Sequence, residues 1–312
     1  MALNPEFKDI VLSNLREAGF PLAGTCSPNP DQRSIEAYNS WLGKKCYAGM
    51  SYMARDPDIR LNVKNLVSWA RGVFVVALPY NTRRDNSEKW VERGRGWISR
   101  YAWGRDYHKV LRGRLKKAAA VLESAGYMAR VCVDTAPVLE RDMAARAGLG
   151  FIGKNGLLIN RKFGSYLFLG EIITDLELED GETPKDGCGG CSLCLKACPN
   201  GALVEPKVLD SRRCISYWTI EHRGDFPDSA PGFHGQLFGC DLCQEVCPWN
   251  KSAPLSGEGE FQPREGLFAP RVKDIEKLSR KEWDIHTRGT PLRRAGYEGL
   301  QRNAGRLDEK NP

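Results

Sequence analysis

Apolar residues recur along the first 180 positions at two periods, and the alternation between them sets out a series of helices and strands. Residues 5–18 carry Phe7, Ile10, Val11 and Leu15 at helical spacing, with Gly19 as a stop, which predicts an opening amphipathic helix. A short apolar stretch over 21–26 predicts the first strand, and 35–53 reads as helical around Trp41, Leu42, Met50 and Met53. Residues 72–79, GVFVVALP, are β-rich without interruption and end on a proline, as expected of a central strand covered on both faces. A helix follows over 107–124 (Val110, Leu111, Leu115, Ala118, Leu122), closed by Gly126, and then a strand over 127–133. Residues 137–147 suit a helix with Pro137 at its first position, and strands are expected over 157–160 and 166–178. Strands interleaved with helices predict an α/β or α+β domain over residues 1–180.

The pattern changes after that. Residues 181–187, rich in Gly, Pro and charge, read as a linker. Short helices are expected after Cys191, over 214–221 and over 241–246; the chain then turns polar and Pro/Gly-rich to about 270 and ends in helices near 279–284 and 290–302. The expected division is 1–180, a cysteine-rich module over 181–255, and a wrapping segment over 256–312.

Eight of the eleven cysteines lie between positions 188 and 247. The first run, CGGCSLCLKACP, has the spacing C-x2-C-x2-C-x3-C-P, in which three close thiolates hold one iron–sulfur cluster and the fourth reaches across to another. The second run, CDLCQEVCP, lacks the leading cysteine, and Cys214 upstream stands in for it. The crossed rule assigns Cys188, Cys191, Cys194 and Cys247 to one four-iron cluster, and Cys198, Cys214, Cys240 and Cys243 to the other. Zinc prefers two C-x2-C pairs and asks for no proline after each run. Disulfides need an oxidising compartment, and the opening MALNPEFKDI has no basic stretch followed by an apolar one. Cys26, Cys46 and Cys132 read as small buried residues.

No apolar run approaches the length of a membrane span, and a reducing, cytoplasmic setting is expected. The formal charge is +7, and two cubanes at about −2 each lower the loaded protein to about +3. Bulk charge therefore says little about a nucleic-acid partner, but its distribution says more. Arg83, Arg84, Arg93, Arg95, Arg100 and Arg105 lie close together, and Arg280, Lys281, Arg288, Arg293, Arg294, Arg302 and Arg306 close the chain. Each group fits a solvated helix face as well as a phosphate-binding surface.

A cluster module joined to a larger domain feeds electrons to something that domain holds. There is neither a Gly-rich dinucleotide fingerprint after a strand nor a P-loop. The Gly-dense stretch is GLGFIGKNG over 148–156, which is either a tight connection or a loop that lets backbone approach a large flat ligand. Asp134, at the end of a strand, fits a helix cap as well as a ligand contact. Asp106 and His108, two residues apart, either start a helix or act together in proton transfer.

Taken together, RYAWGRDYHK, VDTAPVLERDMAARAGLGFIGKNGLLIN, GCGGCSLCLKACPNGAL, CISYWTIEHRG and FGCDLCQEVCPWN resemble the epoxyqueuosine reductases, over roughly residues 51–250 in consistent order. The resemblance implies a cobalamin-binding, nitroreductase-like α/β domain related to reductive dehalogenases, followed by a ferredoxin-like domain with two 4Fe-4S clusters. It implies reduction of epoxyqueuosine to queuosine at the wobble position of tRNA, a reducing electron donor, no membrane and a monomeric chain. The family proton donor falls on Asp134, with Asp106 and His108 on the substrate side of the cobalt. Corrin contacts fall on Arg60, on Asp134, Thr135, Ala136 and Pro137, and on Gly153, Lys154, Asn155, Gly156 and Leu157. Further contacts fall on Ser216, Tyr217, Thr219 and Arg223, and on Cys240 and Asp241. Many members continue into a helical-repeat domain where this chain stops, which leaves Arg293, Arg294 and Arg302 to keep part of its tRNA surface.

Chemically, removing an epoxide oxygen as water takes two electrons and two protons, and a carboxylic acid beside the corrin in a dry pocket supplies a proton if its pKa is raised. The expected resting state has Asp134 protonated, with Asp106 and His108 holding substrate or relaying the second proton. Two other readings stay open at this stage: a corrinoid reductase of a small molecule on the same scaffold, and a non-catalytic ferredoxin-type carrier.

Overall fold

The computed structural model describes residues 5–308. Along the chain come α1 (Pro5–Glu17), β1 (Leu22–Cys26), α2 (Gln32–Gly43), α3 (Ser51–Ala54), α4 (Pro57–Leu61), β2 (Gly72–Pro79), α5 (Ser87–Val91), β3 (Trp97–Ile98), α6 (Tyr107–Ser124), β4 (Ala129–Cys132), α7 (Glu140–Arg146), β5 (Phe151–Ile152), β6 (Leu158–Ile159) and β7 (Leu167–Thr174). Four of these strands form one sheet in the order β1-β2-β7-β4. Every pairing in it is antiparallel, with Phe74 opposite Ile172 and Ile172 opposite Val131.

Strand β2 is buried along its whole length, and its two faces feed two cores. Phe74, Val76 and Leu78 pack with Val11 and Leu15 of α1 and Leu111 and Leu115 of α6. Val73, Val75 and Ala77 pack with Met143 and Ala144 of α7. The period of two along a strand sends alternate side chains to opposite faces, and helices on both faces explain why this stretch is apolar throughout. The architecture is mixed α and β, with an antiparallel sheet inside the helical layers.

The second half holds α8 (Leu193–Ala197), β8 (Leu203–Glu205), β9 (Val208–Leu209), a π-helical turn (Tyr217–Glu221), β10 (Gln236–Phe238), α9 (Leu242–Glu245), α10 (Pro248–Ser252), α11 (Val272–Glu276), α12 (Arg280–Thr287) and α13 (Gly296–Asp308). A third core of Trp97, Trp103, Phe233, Phe238, Trp283 and Leu300 ties the C-terminal helices to a parallel pairing of β3 with β10. At its centre the buried Asp241 carboxylate accepts from Trp97 Nε1 at 3.0 Å, Arg100 N at 2.9 Å and Ser99 Oγ.

Two predicted helices come out differently. The stretch 35–53 breaks after Gly43, and Lys45 and Ala48 take positive φ. The break brings Gly49 N to the Tyr217 hydroxyl at 3.1 Å, where a Cβ on residue 49 would stand 2.6 Å from that oxygen. The helix expected from Pro137 starts three residues later, because Val138 N is bonded to Ala136 O in a tight turn. Its cap position is Leu139, so Asp134 does not cap it.

Candidate active site

Asp134 lies just beyond β4 with φ of +58°, a left-handed conformation that costs a non-glycine residue energy. Its backbone N–H donates to the Glu140 carboxylate, which holds this turn onto the start of α7. Its own carboxylate is 54% exposed and reaches His108 Nε2 at 3.1 Å. On the other side of the ring, His108 Nδ1 stands 2.8 Å from Asp106 Oδ1. Asp106 is the cap of α6 and also accepts from His108 N at 3.0 Å. The imidazole stacks on Tyr107, which stacks on Phe168 of the sheet. Asp106, His108 and Asp134 thus form a single hydrogen-bonded line. Burial works against charge on His108, but the bonds to Asp106 and Asp134 outweigh it and push its pKa up to about 9. Asp106 moves the opposite way: its bonds with His108 overcome burial and hold it below the usual carboxylate range.

Glu140, at the start of α7, is a residue that sequence reasoning did not single out. Burial first, and the Asp134 charge second, push its carboxyl up to about 8. Behind it sits Glu171 of β7, which is fully buried with neither carboxyl oxygen hydrogen-bonded. Burial, then Glu140 and Asp134, raise Glu171 well above the usual carboxylate range, which keeps it a neutral acid. A glutamate inside the apolar run LFLGEIIT is the one sequence signal that pointed to this group. Tyr101 and Tyr52 are further members that sequence reasoning missed. Burial raises both hydroxyls, and the charges of Asp134 and Glu221 raise them further.

The Gly-dense loop joins the two halves. Gly153 and Gly156 close a turn through Gly156 N to Gly153 O at 2.9 Å, and Arg141 donates to Gly156 O. Lys154 turns away from this side: its amine donates to Gly189 O at 2.6 Å and Cys191 O at 2.8 Å, and its backbone N–H points at Cys188 Sγ. Asn155 is buried and its Nδ2 has no hydrogen-bond partner; the same holds for Arg60 Nε. Lost hydration holds the Arg141 guanidinium below its usual pKa, against the pull of the Glu140 carboxylate. Thr135 Oγ1 turns back to Val133 O, and Ala136 and Pro137 complete the turn under Asp134. Leu157 N is bonded to Asn155 Oδ1.

From the other half, Ser216 opens the π-helical turn, Tyr217 holds Gly49, and Thr219 accepts from Gly239 N while donating to Ile215 O. Arg223 is spent on the carbonyls of Ile220, His222 and Arg294. Asp241 is 1% exposed and fully engaged, which leaves only its backbone to face a ligand.

All eleven cysteines are free thiols, and Cys26, Cys46 and Cys132 are buried as expected. The other eight converge in two sets. Burial raises Cys194 and Cys247, and the thiols acting on them include Cys188 and Cys191. Burial also raises Cys214, Cys240 and Cys243, and the thiols acting on these include Cys198, Cys214 and Cys243, with Cys194 the weakest contributor to Cys243. The first set lines a cavity of about 160 Å³ together with Lys154 and Trp249. Among the described residues no three His, Cys, Asp or Glu side chains close on one ion.

A family model for a 4Fe-4S double cluster binding domain matches residues 187–250, and one described as epoxyqueuosine reductase QueG, DUF1730, matches residues 60–135. The epoxyqueuosine reductase of Pseudomonas aeruginosa is 41% identical over 92% of this chain and 81% of its own. That of Synechocystis is 40% identical over 89% of this chain and 96% of its own. Among solved structures, an epoxyqueuosine reductase bound to an epoxyqueuosine-modified tRNA-Tyr stem loop superposes with a TM-score of 0.87 at 30% identity, covering 97% of this chain and 80% of that one. The Bacillus subtilis enzyme, captured with its catalytic Asp loop swung out of the active site, superposes at 0.85 and 30% identity over 97% and 81% of the two chains. This chain, with its two cysteine sets and its Asp-His-Asp line, belongs to the epoxyqueuosine reductase family.

Proposed function

We propose that the protein reduces epoxyqueuosine to queuosine at the wobble position of tRNA, in the cytoplasm and as a monomer, with Asp134 as the proton donor. The observation that carries this reading is the hydrogen-bonded line Asp106–His108–Asp134. Two of the residues assigned to the corrin suit it: Arg60 Nε and Asn155 Nδ2 are buried donors in want of acceptors. Ala136, Pro137 and Leu157 offer apolar or backbone contacts on one side, and Ser216, Tyr217 and the Cys240–Asp241 backbone on the other. When bound, cobalamin supplies a reducible metal centre that side chains cannot, and the clusters supply its electrons one at a time.

The chain's own part is binding and proton supply. Epoxide to alkene consumes two electrons and two protons and releases one water. Asp134 delivers a proton to the departing oxygen, and the His108 imidazolium behind it reloads Asp134 through Nε2. Asp106 keeps that proton on His108 at neutral pH. We place the stored proton on the His108 side of the line, where the sequence expectation put it on Asp134. Glu140 anchors the Asp134 turn through the backbone.

The division into a nitroreductase-like cobalamin domain over 1–180, a ferredoxin-like domain over 181–255 and a wrapping segment over 256–312 is supported by the two cores of the first part and the cluster-domain match over 187–250. Among the described residues no helix is long and apolar enough to cross a membrane.

The basic groups are smaller as tRNA contacts than their counts. Arg100 is 3% exposed and paired with Asp241 and Glu245, which removes it from any phosphate surface. Arg105, Arg280, Arg288, Arg293 and Arg294 each pair with a carboxylate, and Arg302 donates to backbone carbonyls. Arg93, Arg95, Arg271 and Lys273 line a cavity of about 270 Å³ and offer a cationic cradle. The test is turnover: with clusters and cobalamin loaded, epoxyqueuosine-containing tRNA yields queuosine by mass spectrometry, and Asp134→Ala abolishes the product. Full turnover by Asp134→Ala overturns the donor role.

A further inference from the structure

The cavity lined by Cys188, Cys191, Cys194 and Cys247 lies beside the exposed Gly189–Gly190 turn, with Leu193 45% exposed next to it. Cations stand on the elements that line this opening. Arg161 lies over the Trp249 ring at 5.4 Å and donates to Lys185 O at 3.1 Å, with Lys162 next to it. Lys196 follows Cys194 on α8, and Lys251 follows Trp249 on α10. Arg161, Lys162, Lys185, Lys196 and Lys251 are all exposed. Of the nearby acids, Asp186 is already held by Lys207 at 3.3 Å and by Cys188 N at 2.8 Å.

We propose that this face is the docking surface of an acidic one-electron carrier protein, which reduces the Cys188–Cys191–Cys194–Cys247 cluster. Exposed cations on the lining elements, with an exposed leucine among them, have the form of an encounter surface: charge steers and orients, and a small apolar contact seats the partner over the cluster. Electrons leave the carrier singly, so two carriers are each oxidised by one electron per epoxide removed, while both protons come by way of Asp134. The sink for those electrons rests on the function proposed above; the docking itself does not.

The probe is an acidic flavodoxin, with an acidic ferredoxin as a second carrier and reduced methyl viologen, a small cationic dye, as the control. Binding of oxidised carrier to the cluster-loaded protein is measured by calorimetry, and cluster reduction by stopped-flow absorbance. The paired reversal Arg161→Glu/Lys196→Glu is expected to weaken binding and slow reduction by both carriers at least tenfold at low salt. Raising salt from 50 to 300 mM should do the same to the wild type, and viologen reduction should stay within twofold. If the reversal disturbs cluster content, Lys196→Gln/Lys251→Gln replaces it, with a smaller loss of the same pattern expected. Carrier reduction indifferent to charge and salt overturns the proposal, and so does an equal loss with viologen. Normal carrier reduction without queuosine formation would sink the proposed function and leave the docking surface standing.

Discussion

Replacing Asp106 by Asn removes one of the two negative charges that hold the proton on His108, and it should do so without unfolding α6, because Asn caps a helix about as well as Asp. In the wild type two carboxylates at 2.8 and 3.1 Å raise His108 from 6.5 to about 9 despite burial. Burial remains in the variant, so losing the closer carboxylate takes away at least half of the net rise, a drop of roughly 1–2 units. The sign in stability follows. A histidine whose folded pKa is raised contributes stability that is complete below 6.5 and is lost as pH climbs through about 9. The full rise corresponds to about 3 kcal/mol, less the screening allowed by the 54% exposed Asp134 side chain. Asp106→Asn should therefore lose stability less steeply between pH 6.5 and 9, and the alkaline limb of its turnover profile should move to lower pH. The assay is an NMR titration of the His108 Cε1–H signal, assigned by its loss in His108→Gln, beside urea unfolding at several pH values. An unchanged or higher His108 pKa in Asp106→Asn refutes the reasoning.

Other parts of the structure make independent predictions. Cys198→Ala should abolish the signal of the cluster held with Cys214, Cys240 and Cys243 and spare the other, although Cys198 lies in the first run; iron should fall from about eight to about four per chain, and loss of the other signal instead would undo the crossed assignment. Arg100→Met strands the Asp241 and Glu245 carboxylates in a buried setting and should cost about 3–5 kcal/mol in denaturant unfolding, where a loss under about 1 kcal/mol would contradict the pairing. Glu171→Gln cannot ionise, whereas unfolded wild-type Glu171 can; since its folded pKa is raised, the wild type loses stability as pH rises above 4.5, by up to about 1.4 kcal/mol per unit. The variant should gain on the wild type between pH 5 and pH 8, and a constant difference across that range would show Glu171 ionised in the fold.

How much was legible in the sequence depended on how local the determining physics is. Strand β2 and helix α6 have the predicted bounds, since continuous burial and an unbroken helical period are properties of one stretch. The cysteine-rich stretch was legible for the same reason: ligand spacing is short-range, and a double-cluster family model matches residues 187–250. What was hidden is long-range. Three residues of β10 alongside two of β3 carry no period to detect, yet they join the halves through Asp241. Arg100 looked like one of a basic group because its partners lie about 140 residues on. The left-handed turn at Asp134 left no glycine as a sign, so the segment read as the start of a helix. Asp106 and His108 were visible as a pair, but their reach to Asp134 depends on β4 and α6 meeting across the sheet.

The central claim is that the Asp134 line supplies protons for the removal of an oxygen at a tRNA base, and the most direct measurement of it is a single-turnover reaction. Protein loaded with both clusters and cobalamin is reduced, mixed with tRNA containing epoxyqueuosine, and the nucleosides are quantified by mass spectrometry. The structure predicts conversion to queuosine by the wild type, with Asp134→Ala slowed by two or more orders of magnitude at equal cluster and corrin content. Equal conversion by both proteins, or none by the fully loaded wild type, would contradict it.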